Sequence, residues 1–207
     1  MSYARTPAPR ALLLASTSRY RRELLGRLGL PFEARAPTTD ESALAGEPPE
    51  RMAERLAAAK AASIAARDAI VIGSDQTASL DGRLLRKPGR HEIALAQLEA
   101  AQGKTVVFHT GVHVLDTASG QSWCHVDRTE VRFARRERAE LARYLEIEQP
   151  FDCVGSFKAE GLGVVLFESI ESRDPTALIG LPLIWLAAAL KSAGLDPLAP
   201  AYPPRAP

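Results

Sequence analysis

Gly73-Ser74-Asp75 directly follows the uninterrupted apolar run Ala69-Ile70-Val71-Ile72. A β-branched run of this kind reads as a strand buried on both faces, and open α/β sheets gather ligand chemistry just beyond the carboxyl ends of such strands. Asp75 thus stands where a working carboxylate stands, able to take a proton or hold a hard cation. The same position also suits an aspartate that only caps the turn.

Other groups of similar chemistry lie along the chain. Ser16-Thr17-Ser18-Arg19-Tyr20-Arg21-Arg22 joins an apolar run to the start of a helix, where free N–H groups, hydroxyls and guanidinium groups favour phosphate. Ser18 as a plain N-cap beside solvated arginines fits the same residues, and the glycines of a P-loop are missing. Asp40-Glu41, Lys60 and Lys87-Pro88 combine carboxylates for a divalent cation with lysines for polyphosphate oxygens, the parts of a metal-assisted phosphoanhydride site. Each is equally at home on a solvated face, so they form a site only by converging on Asp75. In Gly155-Ser156-Phe157-Lys158-Ala159-Glu160-Gly161, small residues let backbone approach a ligand while Lys158 and Glu160 carry opposite charges; a glycine-rich turn is the alternative.

Three other chemistries are disfavoured. His109 and His113 are four apart in a β-branched stretch, where four residues span ~13 Å, so they do not share a metal. His91 and His125 have no partner at ligand spacing, which leaves all four histidines structural. Ser16, Ser18 and Ser74 lack a GxSxG elbow and an assignable histidine base. Cys124 and Cys153 form no CxxC motif and read as inert core residues in a reducing compartment.

The elements that must position these groups alternate between helix and strand. The run Ala11 to Ala15 predicts a first strand, followed by a helix burying Leu24, Leu25 and Leu28 that Gly29 and Pro31 end. A second helix spans Pro49 to about Arg67, a third Glu92 to Ala101, a charged one Arg135 to Glu148 and a last one about Leu183 to Ala193. Thr105 to Asp116 and Gln121 to Phe133 flank Thr117-Ala118-Ser119-Gly120 and predict a long hairpin, with a further strand at Gly163 to Phe167. The fold class is α/β: a mixed sheet flanked by helices, in two lobes around a cleft, formed by residues 10–196 between flexible ends at 1–9 and a Pro-rich 197–207.

With 207 residues, 46% hydrophobic, the chain supports one substantial core. Its 26 basic and 25 acidic residues give a net charge of +1, so no overall field draws it to nucleic acid or to an anionic membrane. No stretch reaches the ~18 apolar residues of a membrane span and the start of the chain has no signal-peptide h-region, so the expected location is cytoplasmic.

Taken in order, Leu13-Leu14-Ala15-Ser16-Thr17-Ser18, Arg21-Arg22 with Leu24-Leu25, Asp40-Glu41, Ala59-Lys60-Ala61, Gly73-Ser74-Asp75-Gln76, Lys87-Pro88, Thr110-Gly111 and Gly180-Leu181-Pro182-Leu183 resemble the Maf family of nucleoside triphosphate pyrophosphatases. Cys153, Gly155 to Lys158, Glu160-Gly161 and Arg173-Asp174-Pro175 are similar to the branch that acts on 7-methylguanosine triphosphate. The dTTP- and UTP-preferring branch has threonine where Gln76 stands and glutamine where Glu160 stands.

This resemblance implies a Maf/ITPase-like fold, a homodimer, and hydrolysis of the α–β phosphoanhydride with Mg²⁺ or Mn²⁺, clearing modified nucleotides from the pool. It also implies Asp75 as proton acceptor and Tyr20, Gln76 and Glu160 as the base-specificity positions. The triphosphate is then expected against Ser16, Arg21, Arg22, Lys60, Lys87 and Lys158, and the metal at Glu41 and Asp75. Tyr20 offers a 7-methylated, cationic guanine a cation–π face worth ~0.5–2 kcal/mol, Glu160 accepts from the guanine N1–H and N2–H edge, and Gln76 can donate or accept. The chain departs from the family at Arg19, where proline is usual, and at Tyr20, where that branch commonly has tryptophan. The competing expectations are a pyrophosphatase for dTTP/UTP or a broad set of modified nucleotides, and a non-catalytic nucleotide-binding regulator of cell division.

Overall fold

The computed structural model describes residues 10–199, so the flexible ends expected at 1–9 and 197–207 lie outside the described residues except for 197–199. In chain order the elements are β1 (Ala11–Ala15), α1 (Arg19–Gly26), β2 (Glu33–Arg35), α2 (Pro49–Ala62), β3 (Ala69–Leu80), β4 (Arg83–Leu85), α3 (His91–Ala101), β5 (Thr105–Asp116), β6 (Ser122–Phe133), α4 (Arg138–Glu148), β7 (Phe167–Glu171) and α5 (Leu183–Ser192). Single 3-10 turns at Leu162–Leu166 and Ala177–Ile179 precede β7 and α5. The helix starts follow local chemistry. Ser18 accepts from the Arg21 N–H at the head of α1, proline stands in the first turn of α2, and Glu137 with Glu140 closes a capping box on α4.

The strands form one mixed sheet in the order β2-β1-β3-β5-β6-β7, with β4 beside the far half of β3. β1 runs parallel to β2 and β3, whereas β3 to β7 pair antiparallel. This is the mixed α/β architecture that the helix–strand alternation and the hairpin predict. Strand β3 carries two apolar cores on one face. Ile70 and Ile72 pack with Leu24, Leu25, Leu186 and Leu190 of α1 and α5, while Ala78 and Leu80 pack with Leu95, Leu98, Leu141 and Leu145 of α3 and α4. Between them on that face stand Ser74 and Gln76. The two lobes thus share β3, and its polar middle divides them.

Two local expectations change. The strand expected to end at Ile72 runs on to Leu80, so Asp75 lies within β3. The strand expected at Gly163 to Phe167 is a 3-10 turn, and extended structure starts only at Phe167. Gly163 folds so tightly against its own loop that a Cβ there would lie 2.3 Å from the Lys158 carbonyl oxygen, which an extended segment could not accommodate.

At the hairpin end, the buried Asp116 carboxylate is gripped by both terminal nitrogens of Arg10 and accepts from the Ala118 (2.9 Å) and Ser119 (3.2 Å) N–H groups. Arg10, chiefly, holds this carboxyl far below the usual aspartate value of 3.8. A depressed carboxylate stabilises the fold above its unfolded pKa, and that contribution vanishes as pH falls through the folded value. Asp116→Asn keeps the turn acceptor and loses the charge. Its stability deficit in urea melts is therefore expected at pH 7 and to shrink steadily below about pH 4; a deficit independent of pH would mean the ion pair contributes nothing.

Candidate functional site

The site is a gap in the sheet. Along one edge of β3, pairing with β1 ends at Gly73 and pairing with β4 begins only at Ala78, so Ser74 to Thr77 have no strand partner on that side. A cleft of about 1190 Å³ opens there, above the usual ~300–1,000 Å³ of ligand pockets. The carboxyl-end rule therefore holds for β1, which stops at Ala15, and β3 lends the carboxylate as it passes. Alternation along β3 puts Asp75 on the α2 face and Gln76 on the opposite face, both at the gap.

Helix α2 packs on the sheet through glycine. A Cβ at Gly73 would lie 2.1 Å from Ala57 O, and one at Gly111 2.3 Å from Ala53 O. This close approach brings Lys60, at the end of α2, to its partners: its ammonium is 2.6 Å from Asp75 Oδ1 and 2.6 Å from Glu41 Oε1. Lys60 and Asp75 are only 5% and 8% exposed, so this pair is shielded from water in a way that a surface ion pair is not. Lys60 also holds the Glu41 carboxyl below its usual range, assisted by Lys87 and Arg21.

The first turn supplies the opposite wall. Ser16 Oγ accepts from the Ser18 N–H (3.1 Å), and Ser18 caps α1, so the N-cap and the hydroxyl-lined cleft coexist. Arg21 reaches across to donate from Nε to Gly180 O at 3.0 Å. Burial lowers its pKa, against the raising influence of Asp75 and Glu41. Arg19, in place of the family's usual proline, lies 4.6 Å over the Tyr20 ring and donates to its hydroxyl at 2.7 Å. One face of the expected cation–π platform is therefore already covered. Burial pushes the Tyr20 phenol up to about 12, so it stays neutral.

The loop from 151 to 161 forms the far wall. Phe157 anchors it edge-to-face on Phe108, Phe133 and Phe167, Ser156 Oγ bonds Gln97 Oε1 at 2.7 Å, and the Lys158 N–H donates to the Tyr144 hydroxyl at 3.2 Å. Glu160 is left exposed on the cleft side. Burial pushes the Cys153 thiol up to about 12, which removes it as a nucleophile, but neither cysteine is the core residue expected: Cys153 is half-buried and Cys124 exposed.

Ser16, Tyr20, Arg21, Glu41, Lys60, Asp75, Gln76, Lys87, Lys158 and Glu160 all line this one cleft. Two residues expected against the phosphates are placed differently from the others. Arg22 is exposed and absent from the lining, because each helical step turns ~100° and Arg21 already takes the inward position. Lys158 lines the wall, but its ammonium is engaged by the Glu148 carbonyl and, at 3.2 Å, the Glu148 carboxylate. His109 and His113 lie on the α2 side of β5, near Glu50 and Glu54, outside the cleft; burial lowers both. Sequence reasoning missed Arg86, a cleft-lining arginine whose neighbour Lys87 was the only signal there, and the carbonyls of Ala177 to Gly180, which the Gly180-Leu181-Pro182 motif marked.

For a divalent cation the described residues offer no cluster of three histidine, cysteine or carboxylate side chains. Glu41 and Asp75 do share one cation already, the Lys60 ammonium. Two convergent carboxylates suit Mg²⁺ or Mn²⁺ when phosphate oxygens and water complete the shell, so the residues fit such an ion. No helix among the described residues is long and apolar enough to cross a membrane.

A Maf-like protein family model matches residues 11–193. The chain is 49% identical over 194 residues to a 7-methyl-GTP pyrophosphatase of Albidiferax ferrireducens, covering 93% of this chain and 98% of that protein. It is 54% identical over 188 residues to one of Xanthomonas axonopodis pv. citri (89% and 97%) and 50% over 199 residues to one of Burkholderia thailandensis (94% and 92%).

Proposed function

The chain belongs to the Maf family, and from that premise we propose that it hydrolyses the α–β phosphoanhydride of 7-methyl-GTP, releasing 7-methyl-GMP and pyrophosphate. The observation that carries this reading is the shielded Lys60–Asp75 pair at the gap in the sheet, joined from the exposed side by Glu41 and faced by Arg21 and Lys87. Ser16, Arg21, Lys60 and Lys87 receive the triphosphate; Arg22 and Lys158 are left out of this set. Lys60 holds Asp75 by Oδ1, which leaves Oδ2 to take a proton from the attacking water. Glu41 and Asp75 would hold the divalent cation, which when bound neutralises charge on the phosphate oxygens. Tyr20, Gln76 and Glu160 surround the base, and the glutamate accepts from the donor edge of guanine.

Ground-state geometry of this kind gives rate only where charge shifts in the transition state. As the phosphoanhydride breaks, negative charge builds on the departing pyrophosphate, and Lys60, Lys87 and Arg21 are placed to meet it without reorganisation. Pyrophosphate release from a panel of nucleoside triphosphates tests the reading. The expected result is 7-methyl-GTP turned over at least ~10-fold faster than UTP, with activity abolished by EDTA and restored by Mg²⁺ or Mn²⁺. Comparable rates on UTP would overturn the base assignment, and nucleotide binding with no turnover would favour a regulatory protein.

A further inference from the structure

A side-chain amide can face a ligand in two opposite ways, and for Gln76 the surroundings decide. Its Nε2 lies 2.9 Å from Thr110 Oγ1, 3.1 Å from Ala177 O and 3.0 Å from Leu178 O. Carbonyl oxygens only accept. The Thr110 hydroxyl spends its single proton on Ala177 O at 2.9 Å, so toward Gln76 it too offers only lone pairs. Turning the amide over would set Oε1 against three acceptors. Oε1 is therefore the polar atom that Gln76 has left for the cleft it lines.

Thr110 completes this arrangement, beside the two carbonyls, without reaching the ligand. It is the cross-strand neighbour of Gln76 in the β3–β5 register, is 1% exposed, and does not line the cleft. The 3-10 turn that accepts both bonds is itself fixed. Asp174, buried, accepts from the Thr176 N–H at 2.9 Å and the Ile184 N–H at 2.7 Å, and Gly180 O receives Ser74 Oγ (2.9 Å) and Arg21 Nε. One short segment thus sets the base-facing glutamine and the phosphate-facing arginine together.

We propose that Thr110 is a positioning residue for base specificity: it locks Gln76 so that only an acceptor faces the base, and with the Glu160 carboxylate this selects an edge carrying adjacent N–H donors. This rests on the nucleotide-hydrolysing reading of the cleft. Guanine presents two such donors, N1–H and N2–H. Hypoxanthine lacks the amino group, and the single N–H of uracil or thymine is flanked by carbonyls that meet an acceptor-only wall unfavourably.

Substrates differing by that amino group provide the test, 7-methyl-GTP against 7-methyl-ITP, assayed for hydrolysis and for binding of their α,β-methylene analogues. The wild type is expected to favour the guanine compound ~10-fold or more, the effect of about one hydrogen bond. Thr110→Val, nearly isosteric, should erode that ratio to within ~3-fold, chiefly through KM, and Thr110→Ser should restore it. In a Gln76→Ala background, Thr110→Val should change the ratio no further, whereas a merely structural role would act in both backgrounds. An unchanged ratio in Thr110→Val, or equal erosion with and without Gln76, overturns the proposal. Ranked binding without turnover in the wild type would instead count against the hydrolytic reading and leave the ranking as support for the acceptor wall.

Discussion

Replacing Asp75 by asparagine is expected to lower kcat by ~10²-fold or more while the protein still folds. The amide has the size and shape of the carboxylate, and its oxygen can still accept from the Lys60 ammonium that now contacts Oδ1 at 2.6 Å. What the amide cannot do is take a proton from water. It also lacks the negative charge that, with Glu41, would draw in a divalent cation, so the metal concentration for half-maximal activity is expected to rise. Stability should fall only modestly, because Lys60 keeps its second partner, Glu41, at 2.6 Å. Single-turnover pyrophosphate release at saturating metal, alongside thermal unfolding, separates these effects. Turnover within a few-fold of wild type under those conditions would remove Asp75 as the base.

The position of Asp75 also shows where sequence stops informing structure. The apolar run Ala69–Ile72 declares a strand, but Gly73-Ser74-Asp75-Gln76-Thr77 has the composition of a loop, and only tertiary context keeps it extended. Gly73 is there because α2 passes over it, Asp75 because Lys60 comes down from that helix, and Gln76 because a turn a hundred residues later accepts from it. Local propensity reads none of these long-range causes. Residues that converge on one cleft were legible as types: acids near lysines, hydroxyls near arginines. Their directions were not. Arg21 and Arg22 are adjacent and indistinguishable in sequence, yet one donates to Gly180 and the other faces solvent. Lys158 likewise reads as a phosphate ligand until the end of α4 is seen to claim its ammonium.

The hairpin and the helix faces were plainer, since they are set by neighbours in sequence. Thr105–Asp116 and Ser122–Phe133 alternate as a half-buried pair should, with a glycine at φ +76 in the turn between them. Leu24 and Leu25 are fully buried as the helical pattern requires. By contrast, Val164 and Val165 look like strand residues yet are exposed in a 3-10 turn, because a glycine on their N-terminal side closes the loop against Lys158.

Gly111→Ala should be, with Gly73→Ala, among the most damaging single-methyl changes in the chain's core, and its damage should reach the cleft. The new Cβ would stand 2.3 Å from Ala53 O and 2.6 Å from Ala53 C, both backbone atoms that no rotamer change can move aside. Helix α2 must then lift by on the order of 1 Å to restore van der Waals distance. Ala53, Ala57 and Ala61, all fully buried, line the face that would lose contact, for an expected loss of about 3 kcal/mol. Lys60 rides at the end of the same helix, so its two 2.6 Å contacts to Asp75 and Glu41 lengthen together. A fall in kcat/KM of ~10-fold or more is therefore expected at temperatures where the variant is still folded. Gly26→Ala is the matched control: a Cβ there meets nothing within 4 Å, and stability should hold or rise by ~0.4–1 kcal/mol with activity unchanged. If Gly111→Ala melts with the wild type and keeps its activity, the close seating of α2 is not what places Lys60 at the carboxylates.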